Sequence, residues 1–254
     1  MASPAPVIAL HTSQDSTPYN PQAQACVQCG VRQFALFGAL DEAALKEIHY
    51  HIADMRLEPG ELIYSAQSPG SAVYTVRSGV VRMERISEAG ERRILRLSGR
   101  TDLLGLESIL HQTYAADAVA CTTVEVCRIP RVLIDELGLK HPLLLRDLMK
   151  RWQRALDDAD EWLTELTRGV ARQRMLRLLL KLSEYGSGDG QDSGLIWLPT
   201  RPEMGAMLDM TFETASRLIS ALRRDGILEP VDQRQARIHM DALMAALREA
   251  PASR

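Results

Sequence analysis

The chain has 254 residues, a length that favours two domains of unequal size. Hydrophobic residues make up 46% and charged residues 25% of it, which excludes a disordered, collagen-like or low-complexity protein. No apolar stretch approaches the roughly 20 residues that span a bilayer, and the N-terminus lacks the charged start and apolar centre of a signal peptide. We therefore expect a cytoplasmic protein with no membrane partner. Because the net charge is only -3, any DNA-binding surface must be a local patch.

The first part of the chain changes character twice. Residues 1–24 carry prolines and small polar residues without periodicity, which predicts a mobile arm. Over residues 34–51 apolar side chains recur at helical spacing, so a short helix is expected there. Over residues 55–130 the pattern becomes short runs of period two, separated by glycine-containing turn pairs. Regularly spaced strands predict a β-barrel or jelly roll, and we assign residues 25–140 to this domain.

The sequence after Pro130 is helical, and we assign residues 141–168 to one long helix. Six residues in it step by four, three, four, three and four, the spacing of an a/d seam that faces a partner helix. The alternative is a helix that packs on its own β-domain through the same residues. The spacing predicts dimerisation through Leu148, Trp152, Ala155, Ala159, Trp162 and Leu166.

Residues 169–254 have the pattern of a winged helix-turn-helix. Thr200 and Glu203 have the spacing of a capping box, so a helix begins there. Thr211 can cap a second helix after a tight turn. The residues that follow Gly226 read as a β-hairpin wing. In such a unit the second helix enters the major groove of DNA.

The second helix carries residues suited to reading bases. Glu213, Ser216 and Arg217 lie at i, i+3 and i+4 and share one face. Arginine can donate two hydrogen bonds to guanine, and glutamate can accept one from cytosine. The alternative is a solvated face with an intrahelical Glu213 to Arg217 ion pair. The candidate DNA contacts, base-reading and phosphate-holding together, are Glu213, Ser216, Arg217, Thr211, Thr214 and Arg223. The local basic patch that holds phosphates comprises Arg217, Arg223, Arg224, Arg234 and Arg237.

These features resemble the CRP/FNR superfamily of bacterial transcription regulators from about Cys26 to Leu247. Glu213-Thr214-Ala215-Ser216-Arg217 resembles the recognition-helix signature in its FNR-like form. Asp209 stands in the turn where the family usually has glycine, and aspartate tolerates the left-handed conformation better than most residues. The sensor domain is matched by Pro59-Gly60-Glu61, Val76-Arg77-Ser78-Gly79 and Gly105-Leu106-Glu107.

The resemblance implies an α+β protein with an N-terminal β-roll of the cyclic-nucleotide-binding type, a long dimerisation helix and a C-terminal winged helix-turn-helix. It implies a homodimer that reads a TTGAT-like inverted repeat in double-stranded DNA and works with RNA polymerase. Cyclic AMP is not expected as the effector. The family's phosphate-binding arginine has no counterpart in the stretch from His111 to Asp117, which carries an acid instead. A β-roll that is empty and serves only as a scaffold remains an alternative.

The cysteines suggest a different input. Cys26 and Cys29 have a spacing that can grip one metal ion or cluster, and Cys127 ends a predicted strand. These three positions match oxygen-sensing FNR proteins, which hold a four-iron (4Fe-4S) cluster with four cysteines. The family's third N-terminal cysteine falls at Ala35 here.

The fourth ligand is therefore open. If Cys121 and Cys127 lay on one extended strand, about 20 Å would separate them, too far for one cluster. A carboxylate, a histidine such as His49 or His51, or an exogenous thiol could complete the set. The alternatives to a cluster are zinc, thiol redox chemistry, structural cysteines, or another effector such as haem or a small organic ligand.

The sequence offers little for an enzyme. It contains no Gly-rich phosphate loop, no His-Glu-x-x-His motif and no nucleophile with an evident base partner. We expect a non-enzymatic regulator, with a pure binding or scaffold protein as the rival class.

Overall fold

The computed structural model describes residues 51–185 and 194–249. Cys26, Cys29 and Ala35 lie outside these ranges, as do the predicted arm over 1–24 and the helix expected before His51. Within the described ranges no helix is both long and apolar enough to cross a membrane.

The N-terminal domain is a β-roll made of two antiparallel four-stranded sheets. The period-two runs of the sequence become strands whose alternate side chains point into a core shared by both sheets. The strands are β1 (Ala53–Leu57), β2 (Leu62–Tyr64), β3 (Ala72–Ser78), β4 (Val81–Ile86), β5 (Arg92–Ser98), β6 (Leu103–Leu104), β7 (Asp117–Ala120) and β8 (Val124–Pro130). The first sheet has the strand order β1-β8-β3-β6 and the second β2-β7-β4-β5. A 3-10 helix over Leu106–Leu110 precedes β7.

Three tyrosines pack inside the β-roll. The rings of Tyr64 and Tyr114 stack with centroids 3.9 Å apart, and Tyr74 lies 5.4 Å from Tyr64. The Tyr114 hydroxyl accepts from the backbone N–H groups of Ser71 and Ala72 and donates to the Ala72 carbonyl. The three aromatic rings therefore take up interior space of the roll, and hydrogen bonds fix Tyr114 there.

Three helices follow the roll: α1 (Arg131–Lys140), α2 (Pro142–Leu166) and α3 (Ala171–Glu184). Leucines of α1 and the first turns of α2 cover the outer face of the first sheet. The covered side chains belong to the opposite face from the tyrosine core, because successive strand residues point to opposite faces.

The C-terminal domain is a winged helix-turn-helix, as predicted. Thr200 accepts from the backbone N–H of Glu203, whose carboxylate accepts from the Thr200 N–H at 2.7 Å, so the capping box is confirmed. The elements are β9 (Leu195–Trp197), α4 (Arg201–Leu208), α5 (Phe212–Arg224), β10 (Leu228–Pro230), β11 (Gln235–Ile238) and α6 (Met240–Glu249). A three-stranded sheet of order β10-β11-β9 forms the wing. The α+β class and the order roll, long helix, winged helix-turn-helix are those predicted.

The two domains share a continuous apolar core. Val80, Ile94 and Leu97 of the roll join the same buried cluster as Trp162 and residues of α3 and the C-terminal domain. The Tyr185 hydroxyl, just after α3, donates to the Leu97 carbonyl at 3.3 Å. The reading head is thus packed against the β-roll through side chains of both domains.

The six residues of the predicted seam on helix α2 do not share one environment, because some are buried within the chain and others are not. Leu148, Trp162 and Leu166 are buried against the chain's own domains, so this half of the predicted seam cannot face a partner. A second stripe with the same four-three spacing lies on the open side, where Leu156 and Leu163 are 52% and 60% exposed. We call it the exposed stripe: Leu145, Met149, Trp152, Leu156, Ala159 and Leu163.

Candidate DNA interface and cysteine site

Helix α5 presents the predicted base-reading face to solvent. Its N-cap Thr211 accepts from the N–H of Thr214, which fixes the start of the helix. Glu213 and Arg217 are exposed and Ser216 is half-buried, while Ala215, Ile219 and Leu222 anchor the opposite face in the core. The apolar face orients the helix, and the polar face is left for a partner.

Glu213 and Arg217 do not form a close ion pair. Among the ion pairs of the described residues none joins Glu213 to Arg217, and the Arg217 guanidinium donates instead to the Thr214 hydroxyl at 3.4 Å. The Glu213 backbone N–H and the Thr211 hydroxyl lower the pKa of the Glu213 carboxyl, and the charge of Arg217 contributes to lowering it. Glu213 is therefore an ionised acceptor at neutral pH, the form that can receive a cytosine amino group.

The turn before α5 has the conformation that its sequence requires. Asp209 adopts φ 53° and ψ 58°, the left-handed region where the family pattern has glycine, so the expected tolerance is confirmed. Its carboxylate binds Arg93 of β5 at 2.9 Å. The turn is thus tied to the β-roll by a contact that the sequence did not indicate.

The basic patch differs from the prediction in two ways: Arg234 does not join it, and Arg201 lies beside it. Arg223 and Arg224 are exposed at the end of α5. Burial and the charge of Arg223 both lower the pKa of Arg201, which places a further cation beside them at the start of α4. Arg234 departs from the prediction, because it turns inward to bind Glu203 at 2.8 Å and lies over the Trp197 ring.

A buried charge network joins the two domains. Arg82 of β4 binds Glu84 at 2.6 Å and reaches Glu203 of α4 at 3.4 Å. Glu203 also binds Arg234 of the wing, as well as capping its own helix. Burial raises the pKa of Glu203, but hydrogen bonds from Arg234 and Thr200 outweigh it and hold the pKa below its ordinary value. Four charges of balanced sign therefore sit where the roll meets the reading head.

The two cysteines of the described chain have separate environments. Cys121 lies in the turn after β7 rather than on one strand with Cys127, so the supposition of a single extended strand is wrong. Its side chain is buried in the core shared by the two domains, and burial raises its pKa to about 12. Cys127 instead packs beside the cluster beneath α1 and α2. Cys121 therefore cannot act as a thiolate ligand beside Cys127.

Cys127 lies in a row of polar side chains on the outer face of the first sheet. Asp54 on β1 and Thr75 on β3 are its direct partners across the strands. The Cys127 thiol donates to Asp54 Oδ1 at 3.5 Å. The Thr75 hydroxyl is buried without a hydrogen-bond partner among the described residues. A cysteine thiol is a donor of the type that holds iron-sulfur clusters, and a carboxylate is one of the types that bind metal ions.

Most of the other residues predicted to bind a metal lie outside the described parts of the chain. Within residues 51–185 and 194–249 no group of three or more potential ligands occurs. His51 is half-buried just before β1, whereas His49, Cys26 and Cys29 lie outside the described residues. The described chain therefore holds Cys127 and its neighbours but not the predicted cysteine pair.

The stretch expected to lack a phosphate site carries paired acids. Asp117 accepts from the backbone N–H of Ala66 at 2.6 Å, and Glu107 accepts from that of Ala115 at 2.9 Å. These carboxylates would repel a bound phosphate. Tyr114 fills the adjoining interior. That cyclic AMP is not the effector stays a prediction.

A β-roll packed on a winged helix-turn-helix, with an exposed polar face on the second helix, defines a DNA-binding transcription regulator. Residues 54–141 match the cyclic nucleotide-binding domain, and residues 173–246 match the Crp-like helix-turn-helix domain. The chain therefore belongs to the CRP/FNR superfamily, in its FNR-like branch.

Individual relatives agree with this assignment. The chain is 32% identical over 174 residues to the transcriptional activator protein FnrA of Stutzerimonas stutzeri, covering 68% of this chain and 71% of that one. It is 29% identical over 205 residues to the anaerobic regulatory protein of Pasteurella multocida, covering 80% and 75%. The fold is similar to that of FixK2 from Bradyrhizobium japonicum, with a TM-score of 0.68, 25% identity and coverage of 80% and 98%.

Proposed function

We propose that this regulator responds to oxygen, nitric oxide or redox state through a 4Fe-4S cluster held by Cys26, Cys29 and Cys127. The observation that carries the proposal is the position of Cys127: it lies beside a carboxylate on the outer face of the roll, outside the tyrosine core. The names of the relatives, which include anaerobic regulatory proteins, favour the same kind of signal. When bound, such a cluster supplies an oxidisable iron-thiolate centre whose loss changes the packing of its protein ligands.

The side chains inside the β-roll make an effector bound there less favoured. The tyrosine rings occupy interior space, and the acids of the adjoining stretch are bound to backbone amides. A cyclic nucleotide or a small organic ligand would have to displace both. A signal that enters at the outer face, beneath α1 and α2, needs no such rearrangement.

The proposed active form is a homodimer that is joined through the exposed stripe of α2. Apolar side chains at four-three spacing on an exposed helix face are the pattern of a helix pair. Helix α2 also packs on the sheet that carries Cys127, so a change at the cysteine site can reach the dimer face through one helix. Two reading heads would then address an inverted repeat of TTGAT-like half-sites and, as in the family, act with RNA polymerase.

The readout of DNA is tested by Arg217→Ala. We expect loss of about 1 to 3 kcal/mol of discrimination at one guanine of the half-site, since a bidentate contact is removed. Binding to duplexes with single base changes, measured at one fixed salt concentration, gives the discrimination. Arg224→Ala is the matched control, because the loss of a phosphate contact weakens binding to all duplexes by the same amount. Unchanged discrimination in Arg217→Ala would contradict the assignment of α5.

The cofactor is tested on protein purified without oxygen, by iron analysis and visible absorbance. We expect bound iron and charge-transfer bands that bleach in air, and their loss in Cys26→Ala and Cys127→Ala. Cys121→Ala is the control, because that thiol is buried in the interdomain core and should leave the iron content unchanged. A colourless, iron-free wild-type protein would contradict the proposed cluster. If that protein held zinc, the cysteines would instead form a structural or redox zinc site.

A further inference from the structure

The first residue of helix α5 is a large apolar side chain that the fold leaves in solvent. Phe212 lies between the N-cap Thr211 and the base-reading Glu213, and it is 54% exposed. The nearest large apolar residues before and after it in the sequence, Met210 and Leu218, pack against the core shared by the two domains. Phe212 therefore contributes little to the burial that orients α5, and its ring is open to a partner.

Phe212 adjoins the base-reading face of α5. Side chains four positions apart are neighbours on a helix surface, so Phe212 lies next to Ser216, just as Glu213 lies next to Arg217. In a helix-turn-helix the N-terminal residues of the second helix are the ones that contact base edges in the major groove. When Glu213 and Arg217 approach a base pair, Phe212 enters the same groove beside them.

The backbone around Phe212 is held in place on both sides. Before it, the Asp209 carboxylate binds Arg93 of the β-roll at 2.9 Å. After it, the backbone N–H of Thr214 donates to the Thr211 hydroxyl. Because this turn is already ordered in the free protein, less conformational entropy is lost when the ring meets a partner.

An apolar ring in the major groove has a specific group to contact. The C5 methyl of thymine is the apolar group that base pairs display there, and phenylalanine is one of the side chains that contact it. In the proposed TTGAT half-site two thymines adjoin the guanine assigned to Arg217: one precedes that guanine on the same strand, and the other pairs with the adenine that follows it. We propose that Phe212 is a further specificity-determining residue, which contacts the methyl group of one of these two thymines. The inference rests on the proposed half-site.

The test replaces thymine by uracil, which removes the C5 methyl and keeps the base pairing. Each of the two thymines is replaced singly in one half-site, and binding to the full chain purified without oxygen is measured at one fixed salt concentration. We expect wild type to bind one of the uracil duplexes about fourfold more weakly than the thymine duplex, the factor that corresponds to about 0.8 kcal/mol for one buried methyl-sized group. In Phe212→Ala we expect the thymine and uracil duplexes to bind alike, and in Phe212→Leu we expect part of the thymine preference to remain.

Val231→Ala is the matched control, because Val231 is also apolar and 54% exposed but lies in the wing, outside α5. It should keep the wild-type ratio between thymine and uracil duplexes. Melting temperatures show whether each variant folds. Discrimination at the guanine, which Arg217 provides, should persist in Phe212→Ala and shows that α5 still enters the groove.

Equal binding of the thymine and uracil duplexes by wild type would overturn the proposal, as would an unchanged ratio in Phe212→Ala. Either result would leave the proposed sensor and the guanine contact intact. Loss of guanine discrimination in Phe212→Ala would also overturn it, because the ring would then position the whole helix. A wild type without preference for the TTGAT duplex would contradict the proposed half-site and the thymine contact together.

Discussion

Buried charges meet at the boundary between the roll and the reading head, and each has a partner of opposite sign. Arg82 and Glu203 are each 7% exposed, so neither can exchange its partner for water. Removing one member of a buried pair leaves the other uncompensated, which costs far more than losing an exposed pair. The Glu203 carboxylate makes three contacts: it caps its own helix, accepts from Arg234 and binds Arg82. A single side chain thereby links cap, wing and roll.

We predict that Arg82→Met lowers the free energy of unfolding by about 3 to 5 kcal/mol, because Glu84 and Glu203 stay buried without that cation. Arg93→Met removes a second interdomain ion pair, to Asp209, whose groups are 46% and 74% exposed, and should cost no more than about 1 kcal/mol. Urea unfolding of both variants gives the comparison. Equal small losses would mean that the network does not hold the domains together.

The depressed pKa of Glu203 gives this network a pH dependence. A carboxyl whose pKa is lower in the folded state contributes stability above its ordinary pKa and loses it as pH falls through the folded value. The stability advantage of wild type over Glu203→Gln should therefore be complete at neutral pH and shrink on acidification below the ordinary glutamate range. An advantage that does not change with pH would indicate that Glu203 acts by shape alone.

Helix α2 carries two apolar stripes, of which one is buried within the chain and the other is exposed. Leu148, Trp162 and Leu166 belong to intrachain cores, whereas the exposed stripe faces outward. Periodicity predicted the helix and the presence of an a/d pattern. It could not say which of two adjacent stripes meets the β-roll, because Trp152 and Ala159 satisfy both registers. That choice is made by residues distant in sequence.

The two stripes give opposite mutational outcomes. Leu156→Lys should abolish dimerisation with little change in the melting temperature of the monomer, because its side chain is 52% exposed. Leu148→Ala should destabilise the monomer by about 2 to 5 kcal/mol, because its buried side chain leaves a cavity. Sedimentation and thermal unfolding separate the two effects. A monomer in Leu148→Ala and a dimer in Leu156→Lys would restore the seam predicted from sequence.

The C-terminal elements were the most predictable from sequence. The capping box at Thr200, the N-cap at Thr211 and the left-handed turn at Asp209 each follow from residues within four positions of one another. Arg234 was misplaced for the opposite reason, since its partner Glu203 is 31 positions away in sequence. Likewise, nothing local indicated that Asp54 would lie beside Cys127, because strand pairing 73 positions apart brings them together.

At the scale of the whole molecule, helix α2 connects the cysteine site to the proposed dimer face and to the DNA-binding domain. The outer face of the first sheet carries Cys127 and packs on α1 and the start of α2, while the end of α2 enters the core shared with the reading head. A shift of α2 would therefore alter both the proposed dimer face and the packing of the DNA-binding domain on the β-roll. In the proposed mechanism, this arrangement would couple a chemical change at the cysteines to DNA binding without a ligand inside the roll.

The most direct test is the affinity of one anaerobic preparation for a duplex with two TTGAT half-sites, measured before and after exposure to air at constant salt. We predict tight, sequence-selective binding without oxygen and a loss of at least about tenfold after exposure, with both states alike in Cys127→Ala. Equal affinity of the wild type before and after air would show that the cysteine site does not control DNA binding, and would contradict the proposed sensor.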